Sequence, residues 1–264
     1  SDPAYAVQHQ MLLMGSGADL IATRIGASRE ACDGVALQSQ HRAAHAQREG
    51  RFQSIIPIET RQGIITEDEC IRADMTAERL AKLAPAFAEL GAKGADQIQL
   101  AKFPDLAGIE HVHTAGNSPA MCDAGALVLL GDESLGKSLG LTPKARLVAS
   151  ATASGEPLEV VSGCVAATEA LLASEGKTVE DIDLFEVHEA FAATVIKTRQ
   201  VLHIDDTRLN VNGGVIALGH PMGATGAIMA GTLIDELHRQ QLGKGIVAAS
   251  GAAGSGSALL LERC

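Results

Sequence analysis

A histidine held between a glycine and a proline is the clearest chemical feature of this sequence. His220 lies in NVNGGVIALGHPMGATG (residues 210–226), between Gly219 and Pro221 and directly ahead of a predicted helix. An imidazole titrates near neutral pH and can act as a base, and the flanking glycines let a substrate come close to the backbone. We predict that His220 is a catalytic base. The alternative is a structural histidine at the start of a helix.

Two further segments carry groups that suit the same chemistry. In DLFEVHEAFAA, His188 and Glu189 follow a predicted strand, which is where open α/β sheets place ligand sites. In ASGAAGSGSA, the small residues after Ser250 could offer backbone amides to an oxyanion. The alternatives are a histidine bonded only to its neighbours and a serine that serves only the geometry of a turn. We predict that His188, His220 and Ser250 share one pocket.

Alternating strands and helices are predicted to position these segments. Beyond about Thr114, apolar and β-branched runs predict five strands, with helices between the earlier ones and a glycine-rich hairpin between the last two. The predicted strands cover residues 127–131, 145–151, 182–187, 246–250 and 258–262. The helix that follows His220 is predicted to stop at Gly243. This order of strands and helices indicates an α/β layered fold.

The first hundred residues or so show helical patterns and short β-branched runs without a catalytic cluster. A long amphipathic helix is predicted from its N-cap Ser28 to Gly50, and short β-branched runs follow on either side of Gln62-Gly63. His41 and His45, four residues apart on the helix, could bind a metal, but a solvated helix face is the favoured interpretation. We therefore predict no metal site.

Composition narrows the classes of function. The 264 residues carry 21 Lys and Arg against 32 Asp and Glu, a formal net charge of −11, which repels phosphate backbones and anionic lipid. We therefore expect no nucleic-acid partner. No apolar stretch approaches the roughly 20 residues that a membrane helix needs, so we expect no membrane insertion. The five cysteines form no CxxC motif, which favours a reducing cytoplasm over a disulfide framework.

In this order and spacing, the three chemical segments resemble the C-terminal signatures of the thiolases, which comprise acetyl-CoA acetyltransferases and 3-ketoacyl-CoA thiolases. HTAGNSPAMCDAGALVLL resembles the family's TAGN segment, and SREACDGVALQSQHRAAHAQREGRF resembles the helix of its loop domain. The resemblance covers nearly the whole chain. It implies an α/β fold of two similar halves, with paired helices between two sheets and a loop domain inserted in the first half.

The resemblance also implies a division of the chain. Residues 1–113 correspond to the loop domain, residues 114–143 to the end of the N-terminal half, and residues 144–264 to the C-terminal half, so the N-terminal half is largely absent. We therefore expect a partner in the form of that missing half or a complementary chain. The family also implies an oligomer, either a dimer or a tetramer.

Thiolases cleave or condense 3-ketoacyl-CoA through an acyl-thioester on a cysteine. None of the five cysteines here has the family's Cys-x-Ser-Gly context, so the resemblance implies a nucleophile supplied from outside this chain. It also implies that His220 activates that nucleophile and helps bind the thioester oxygen, and that His188 supplies the other oxyanion contact. Ser250 stands where the family has its acid/base cysteine, and an aliphatic hydroxyl hardly titrates in water.

Coenzyme A or acyl-CoA is the implied substrate, with no covalently bound cofactor. The coenzyme-binding residues predicted from the resemblance are Asn117, Pro119, Gly219 and Ala252. Pro119 stands at a serine that contacts coenzyme A, and Ala252 replaces a glycine whose amide lines the second oxyanion hole. Two hypotheses remain open. The intact GHP and HEAF segments favour an acyltransferase, whereas Ser250 favours a degenerate subunit that binds acyl-CoA or a partner protein without turnover.

Overall fold

The computed structural model describes residues 12–264 of the chain. The part that precedes the main sheet is largely helical and includes a two-stranded hairpin. Its elements are α1 (Met14–Ile25), α2 (Arg29–Arg48), β1 (Ile58–Thr60), β2 (Gly63–Ile65), α3 (Ala77–Ala81), α4 (Ala88–Leu90), the π-helical turn Gly91–Ala95, α5 (Asp96–Lys102) and α6 (Glu133–Leu139).

The remaining part alternates strands and helices, as the sequence predicts. Its elements are β3 (Ala145–Ser154), α7 (Gly163–Ser174), β4 (Leu184–Val187), α8 (Ala192–Leu202), α9 (Val215–Leu218), α10 (Thr225–Gln240), β5 (Lys244–Ser250) and β6 (Ser255–Arg263). Short 3₁₀ turns connect them at Pro157–Glu159, Val179–Asp181, Asp206–Arg208, Met222–Ala224 and Ala252–Gly254.

Local chemistry accounts for the long helix and the hairpin of the first part. The Ser28 Oγ accepts a hydrogen bond from the Ala31 N–H (3.2 Å), which satisfies one of the free donors at the start of α2. After α2 ends at Arg48, Gly50 takes a left-handed conformation with φ of +63°. Gly63 opens β2 with φ of +129°, which turns the chain between β1 and β2. The predicted helix is confirmed, and the short β-branched runs on either side of Gln62-Gly63 pair as β1 and β2.

Four strands form the main sheet in the order β3-β6-β5-β4. β5 and β6 are an antiparallel hairpin, and β6 pairs antiparallel with β3 along its whole length. β4 and β5 are parallel, with Leu184 opposite Gly245, so the chain must cross from one to the other through α8, α9 and α10. This crossover contains the His220 segment and returns it to the end of the sheet where β4 stops.

Helices cover both faces of the sheet. On one face α10 packs through Met229, Leu233 and Leu237 against Leu184, Val247 and Leu261 of the strands. On the other face α7 packs against β3, β5 and β6, and its residues share one apolar core with α1, α2 and α8. The layered α/β arrangement that the sequence predicts is confirmed, and the N-terminal helices are part of the same core as the sheet.

Two glycines let the first turn of α7 lie directly on β6. A Cβ on Gly163 would lie 2.1 Å from the carbonyl oxygen of Ser255, and a Cβ on Gly256 would lie 2.0 Å from the carbonyl oxygen of Gly163. Real Cβ atoms do not approach a backbone so closely, so neither position admits a side chain in this packing. The close approach brings the N-terminus of α7 next to the end of β5.

One predicted strand is wrong. Residues 127–131 form no strand, and Leu127, Leu129 and Leu130 are 97%, 65% and 70% exposed. A strand requires a neighbour to pair with its N–H and C=O groups, and no strand within residues 12–264 pairs with this segment. An apolar pattern that suits a strand is therefore left on the surface.

Helix α10 ends earlier than the sequence predicts. Gln241 takes a left-handed conformation (φ +58°), and its N–H donates to the carbonyls of the last helical turn, so the helix stops before Gly243. Nowhere between residues 12 and 264 is a helix both long enough and apolar enough to cross a membrane.

Replacing Gly163 with alanine tests the close contact between α7 and β6. We expect Gly163→Ala to lower the free energy of unfolding by about 2–3 kcal/mol, because the methyl group collides with the backbone of β6. Gly34→Ala on α2 is the matched control, since a Cβ there meets nothing within 4 Å. That control should be neutral or stabilising by up to about 1 kcal/mol. Urea unfolding followed by circular dichroism measures both, and equal effects would contradict the packing.

Candidate active site

His188 and His220 face each other at one end of the sheet. Their ring centroids lie 4.6 Å apart, and the ring planes are tilted by 46°. His188 directly follows β4, and its N–H donates to the carbonyl of Ala248 on β5 (2.8 Å), which continues the parallel pairing. His220 follows α9 and Gly219, and its N–H donates to the carbonyl of Ala120 (2.8 Å). Two segments that are far apart in the sequence therefore present their imidazoles to each other.

Glycine at position 219 allows the turn that carries His220. Gly219 is buried and has φ of +89°, which L side chains rarely adopt. A Cβ there would lie 2.5 Å from Sγ of Cys122 and 3.1 Å from Sγ of Cys70. The role of Gly219 in the turn follows from this packing. Its contact with coenzyme A stays a prediction.

Both histidines favour the neutral form. His188 is only 6% exposed, and its pKa is lowered to about 4, first by burial and then by the charge of His220, while the nearby backbone of Ser250 opposes part of the shift. Burial also lowers the pKa of His220. Two imidazoles that stay neutral near pH 7 can each accept a proton or donate one N–H.

The two ring nitrogens of His188 are buried and have no hydrogen-bond partner within the described residues. Leaving buried polar groups unpaired costs free energy, so such groups are uncommon in folded proteins. A ligand that enters beside His220 can supply the missing partner. The orphaned nitrogens are therefore an independent indication of a binding site here.

Thr225 fixes the orientation of the His220 ring. Its Oγ1 lies 2.8 Å from Nδ1 of His220, at the first residue of α10. When Nδ1–H donates to this hydroxyl, Nε2 carries the free lone pair and is the basic nitrogen. The sequence analysis did not identify Thr225, although its position at a helix start five residues after the histidine is visible in the sequence.

The main chain of Ser250 lies next to His188, one of the two paired histidines. It is the last residue of β5, beside β4 in the sheet, and it is half-buried. Its Oγ accepts a hydrogen bond from the N–H of Cys164 (3.0 Å), in the first turn of α7. The structure therefore brings His188 and His220 together and places Ser250 next to His188, with the hydroxyl held towards α7.

The side chain of Asn117 is hydrogen-bonded within the loop that precedes Pro119. It is fully buried, its Oδ1 accepts from the Thr114 N–H (2.8 Å), and its Nδ2 donates to Oδ1 of Asp33 (2.8 Å) and to the carbonyl of Val112 (3.1 Å). These bonds use both Nδ2 hydrogens and one acceptor position of Oδ1, so Asn117 holds the loop. Its contact with coenzyme A stays a prediction.

Pro119 and Ala252 lie at the border of the site. Pro119 is half-buried in the loop whose next residue, Ala120, accepts the hydrogen bond from His220. Ala252 is exposed and begins the 3₁₀ turn between β5 and β6. Both positions have surface that a ligand could reach, and their coenzyme contacts stay predictions.

A buried carboxylate connects the elements that carry the histidines. Glu189 is 2% exposed, and its Oε2 accepts from Ser39 Oγ (2.7 Å) and from the Ile216 N–H (3.0 Å), while Oε1 accepts from Asn210 Nδ2 (3.2 Å). Burial raises the pKa of Glu189, and these hydrogen bonds oppose the rise. The network joins α2, the end of β4 and α9. Only the HEAF motif pointed to Glu189 in the sequence, and nothing there identified its partners.

The described residues offer no cluster of three or more His, Cys, Asp and Glu side chains suited to a metal ion. His41 and His45, whose spacing on α2 could have suited one, have other partners. The Nε2 of His41 donates to the carbonyl of Met75 (3.1 Å), and the Nε2 of His45 lies 2.8 Å from Nη2 of Arg51. The two side chains are exposed, in keeping with the solvated helix face favoured from the sequence.

With this geometry established, comparison with known proteins identifies the family. The family models "Thiolase, N-terminal domain" and "Thiolase, C-terminal domain" match residues 3–99 and 141–263. The chain belongs to the thiolase family. The domain boundaries inferred from the sequence, at residues 113/114 and 143/144, stay predictions.

Similar curated proteins include acetyltransferases and thiolases of greater length. The chain is 40% identical over 256 residues to an acetyl-CoA acetyltransferase of Allochromatium vinosum, covering 95% of this chain and 60% of that protein. It is 35% identical over 266 residues to a 3-ketoacyl-CoA thiolase of Bacillus subtilis, covering 95% of this chain and 63% of that protein. The chain therefore spans about three fifths of the length of the curated relatives that it matches.

Solved structures agree in fold. The crystal structure of the Bacillus anthracis acetyl-CoA acetyltransferase superposes with a TM-score of 0.82 at 35% identity, covering 96% of this chain and 60% of that chain. The human mitochondrial 3-ketoacyl-CoA thiolase in complex with CoA superposes with a TM-score of 0.82 at 32% identity, covering 97% and 60%. These likenesses confirm the thiolase fold that the sequence resemblance implied.

The pH dependence of stability tests the burial of neutral His188. An ordinary histidine has a pKa of 6.5, whereas His188 has a pKa of about 4 in the folded protein, so the unfolded state binds more protons between these values. The stability that this difference contributes is complete above pH 6.5 and is lost as the pH falls towards 4. We expect wild type to lose about 2 kcal/mol more than His188→Asn between pH 7 and pH 5.

Urea unfolding at a series of pH values measures this difference. His203→Asn is the matched control, because His203 is exposed and its left-handed backbone (φ +53°) suits asparagine. That control should follow the wild-type pH profile. Parallel profiles for wild type and His188→Asn would contradict the neutral buried state.

Proposed function

We propose that the chain is part of a thiolase-type acyl-CoA acyltransferase that cleaves or condenses 3-ketoacyl-CoA. The observation that carries this proposal is the contact between two neutral imidazoles, one of which has two buried nitrogens without partners among residues 12–264. The names of the relatives support the same reaction class. In a longer protein or an assembly, the missing part of the family's N-terminal half supplies the nucleophilic cysteine.

His220 is assigned the task of activating that nucleophile. With Nδ1–H donated to Thr225, Nε2 of His220 is free to take the proton from the thiol as its sulfur attacks the acyl carbon. The S–C bond to the acyl group then forms, and coenzyme A leaves as its thiol. His188 donates an N–H to the thioester oxygen, where negative charge develops in the transition state.

Ser250 is assigned the position of the second acid/base group. Its hydroxyl is a much weaker acid than a thiol and already accepts the N–H of Cys164, so it moves protons poorly at neutral pH. Acylation depends mainly on His220 and His188, whereas completing the cycle needs a proton at the substrate α-carbon or the leaving thiol. We therefore expect acylation to outpace turnover.

Coenzyme A is the proposed substrate group, with no separate cofactor. A related human structure is a complex with CoA. On this chain, Pro119 and Ala252 are the proposed contacts beside the histidine pair, and Asn117 supports the loop that carries Pro119.

The exposed apolar segment is the proposed contact with the rest of the thiolase N-terminal half. Leu127, Leu129 and Leu130 are 65–97% exposed in a segment that pairs with no strand among the described residues. A large exposed apolar surface of this kind marks an interface. Pairing with a strand of the missing half, on the same polypeptide or on a second chain, would cover this apolar segment. We also propose that the complete protein is an oligomer.

A second candidate function is a degenerate subunit that binds acyl-CoA or a partner protein without turnover. The hydroxyl of Ser250 at the acid/base position favours it. The two candidate functions predict different effects on turnover when Ser250 is replaced with cysteine.

Ser250→Cys should raise steady-state cleavage of a 3-ketoacyl-CoA by about 10²-fold, the usual scale of general acid/base catalysis. The assay requires the N-terminal half, in the same polypeptide or added as a separate chain. Ser174→Cys, which adds a thiol at the exposed end of α7, should change nothing. Robust turnover with Ser250 that the cysteine does not increase would show that another group moves the proton. The absence of both turnover and an acyl-enzyme in either form would support the degenerate subunit.

A further inference from the structure

Two cysteines that the proposed reaction does not use lie next to its histidine pair. Cys70 follows β2 in an irregular segment, and Cys122 follows the loop held by Asn117; both are half-buried and free. Their sulfur atoms pack on the same side of Gly219, at 3.1 Å and 2.5 Å from the position that a Cβ on Gly219 would occupy. The two sulfur atoms therefore lie within a few ångström of each other.

The surroundings hold this pair against the turn of His220. Met121 forms an isolated parallel bridge with His220, and the carbonyl of Ala120 accepts the His220 N–H, so the segment that carries Cys122 is tied to the histidine. The pKa of the Cys122 thiol is raised by burial and then by the neighbouring thiol of Cys70. Gly219 has no side chain to separate the sulfurs from its backbone. The missing Cβ therefore makes room for the pair.

The other three cysteines of the chain have different surroundings. Cys32 and Cys164 are fully buried, and burial raises the pKa of Cys32 to about 12. Cys164 has Thr198 as its partner at 3.4 Å. Cys264 is exposed at the last residue. Cys70 and Cys122 are thus the two thiols that combine proximity with access to solvent.

We propose that Cys70 and Cys122 form a dithiol site beside His220 that hydrogen peroxide oxidises to a disulfide. In the first step the Cys70 sulfur attacks a peroxide oxygen, the O–O bond breaks, and Cys70 becomes a sulfenic acid, while the leaving hydroxide takes up the thiol proton and departs as water. In the second step the Cys122 sulfur attacks the Cys70 sulfur, forming the S–S bond and releasing water. The two thiols lose two protons and two electrons in total, and peroxide takes up both to become two waters.

The order of the two steps follows from the environment of Cys122. Burial and the neighbouring Cys70 thiol raise the pKa of Cys122, which disfavours its thiolate, so Cys122 is assigned the resolving role. The disulfide would join the segment after β2 to the segment before α6, across the turn at Gly219. The ligand class of the site is a two-electron oxidant, and this chemistry is independent of acyl transfer.

The test uses the folded chain with Cys264→Ser, which removes the exposed thiol that could link two molecules. After hydrogen peroxide, remaining thiols are blocked with N-ethylmaleimide, and the protein is digested with trypsin without reductant. We expect peptides 62–72 and 103–137 to be recovered as one linked species that is two hydrogens lighter than their sum, and reductant to separate them. Cys32 and Cys164 should remain reduced.

Two controls tie the result to the fold. Oxidation after unfolding in urea should lose the preference for this pair, because the sulfurs are then no longer held together. Dibromobimane, which becomes fluorescent when it bridges two thiols, should label the folded chain at the same pair without any oxidant. Cys70→Ser and Cys122→Ser should each abolish both the linked peptide and the bridged label. Separate oxidation of Cys70 and Cys122 in the folded wild-type chain, with no linked peptide, would overturn the proposal.

Discussion

The buried carboxylate of Glu189 is the interaction on which the site depends. It accepts hydrogen bonds from Ser39 on α2, from Asn210 in the loop after α8, and from the N–H of Ile216 on α9. A carboxylate buried without such donors would cost several kcal/mol, so the three elements must come together around it. His188 is its neighbour in the sequence, and His220 lies four residues beyond Ile216. The relative position of the two imidazoles is therefore set by this network.

Burial of the histidine pair has a chemical consequence. Removing water from His188 lowers its pKa and leaves its ring nitrogens without partners in the described part of the chain, and the proximity of His220 lowers the pKa further. The resulting neutral pair is suited to taking one proton from a thiol and donating one hydrogen bond to an oxygen. The same packing that turns the chain at Gly219 also brings Cys70 and Cys122 to the site. One tight turn therefore accounts for both the proposed base and the proposed dithiol.

The sequence was sufficient to predict the layered fold and the long N-terminal helix, because the periodicity of apolar residues is a local signal. The motifs around His188 and His220 were sufficient to predict that these two side chains lie together. The strand predicted at residues 127–131 fails because pairing depends on a neighbour that the described residues do not contain. The hydrogen bond that ties Asn117 to α2 could not be predicted, because its partner Asp33 is distant in the sequence. Cys70 and Cys122 showed no regular spacing, and their approach became visible only when the structure placed both against Gly219.

The rate of acyl-enzyme formation tests the central claim, that His188 and His220 act together on the thioester. The rate is measured in a single-turnover burst from an acyl-CoA, with the N-terminal half present, for wild type, His188→Ala, His220→Ala and the double variant. We predict that His220→Ala slows acylation by at least about 10²-fold and that the double variant loses less than the product of the two single losses. Acylation at the wild-type rate in His220→Ala, or losses that multiply independently, would contradict the account.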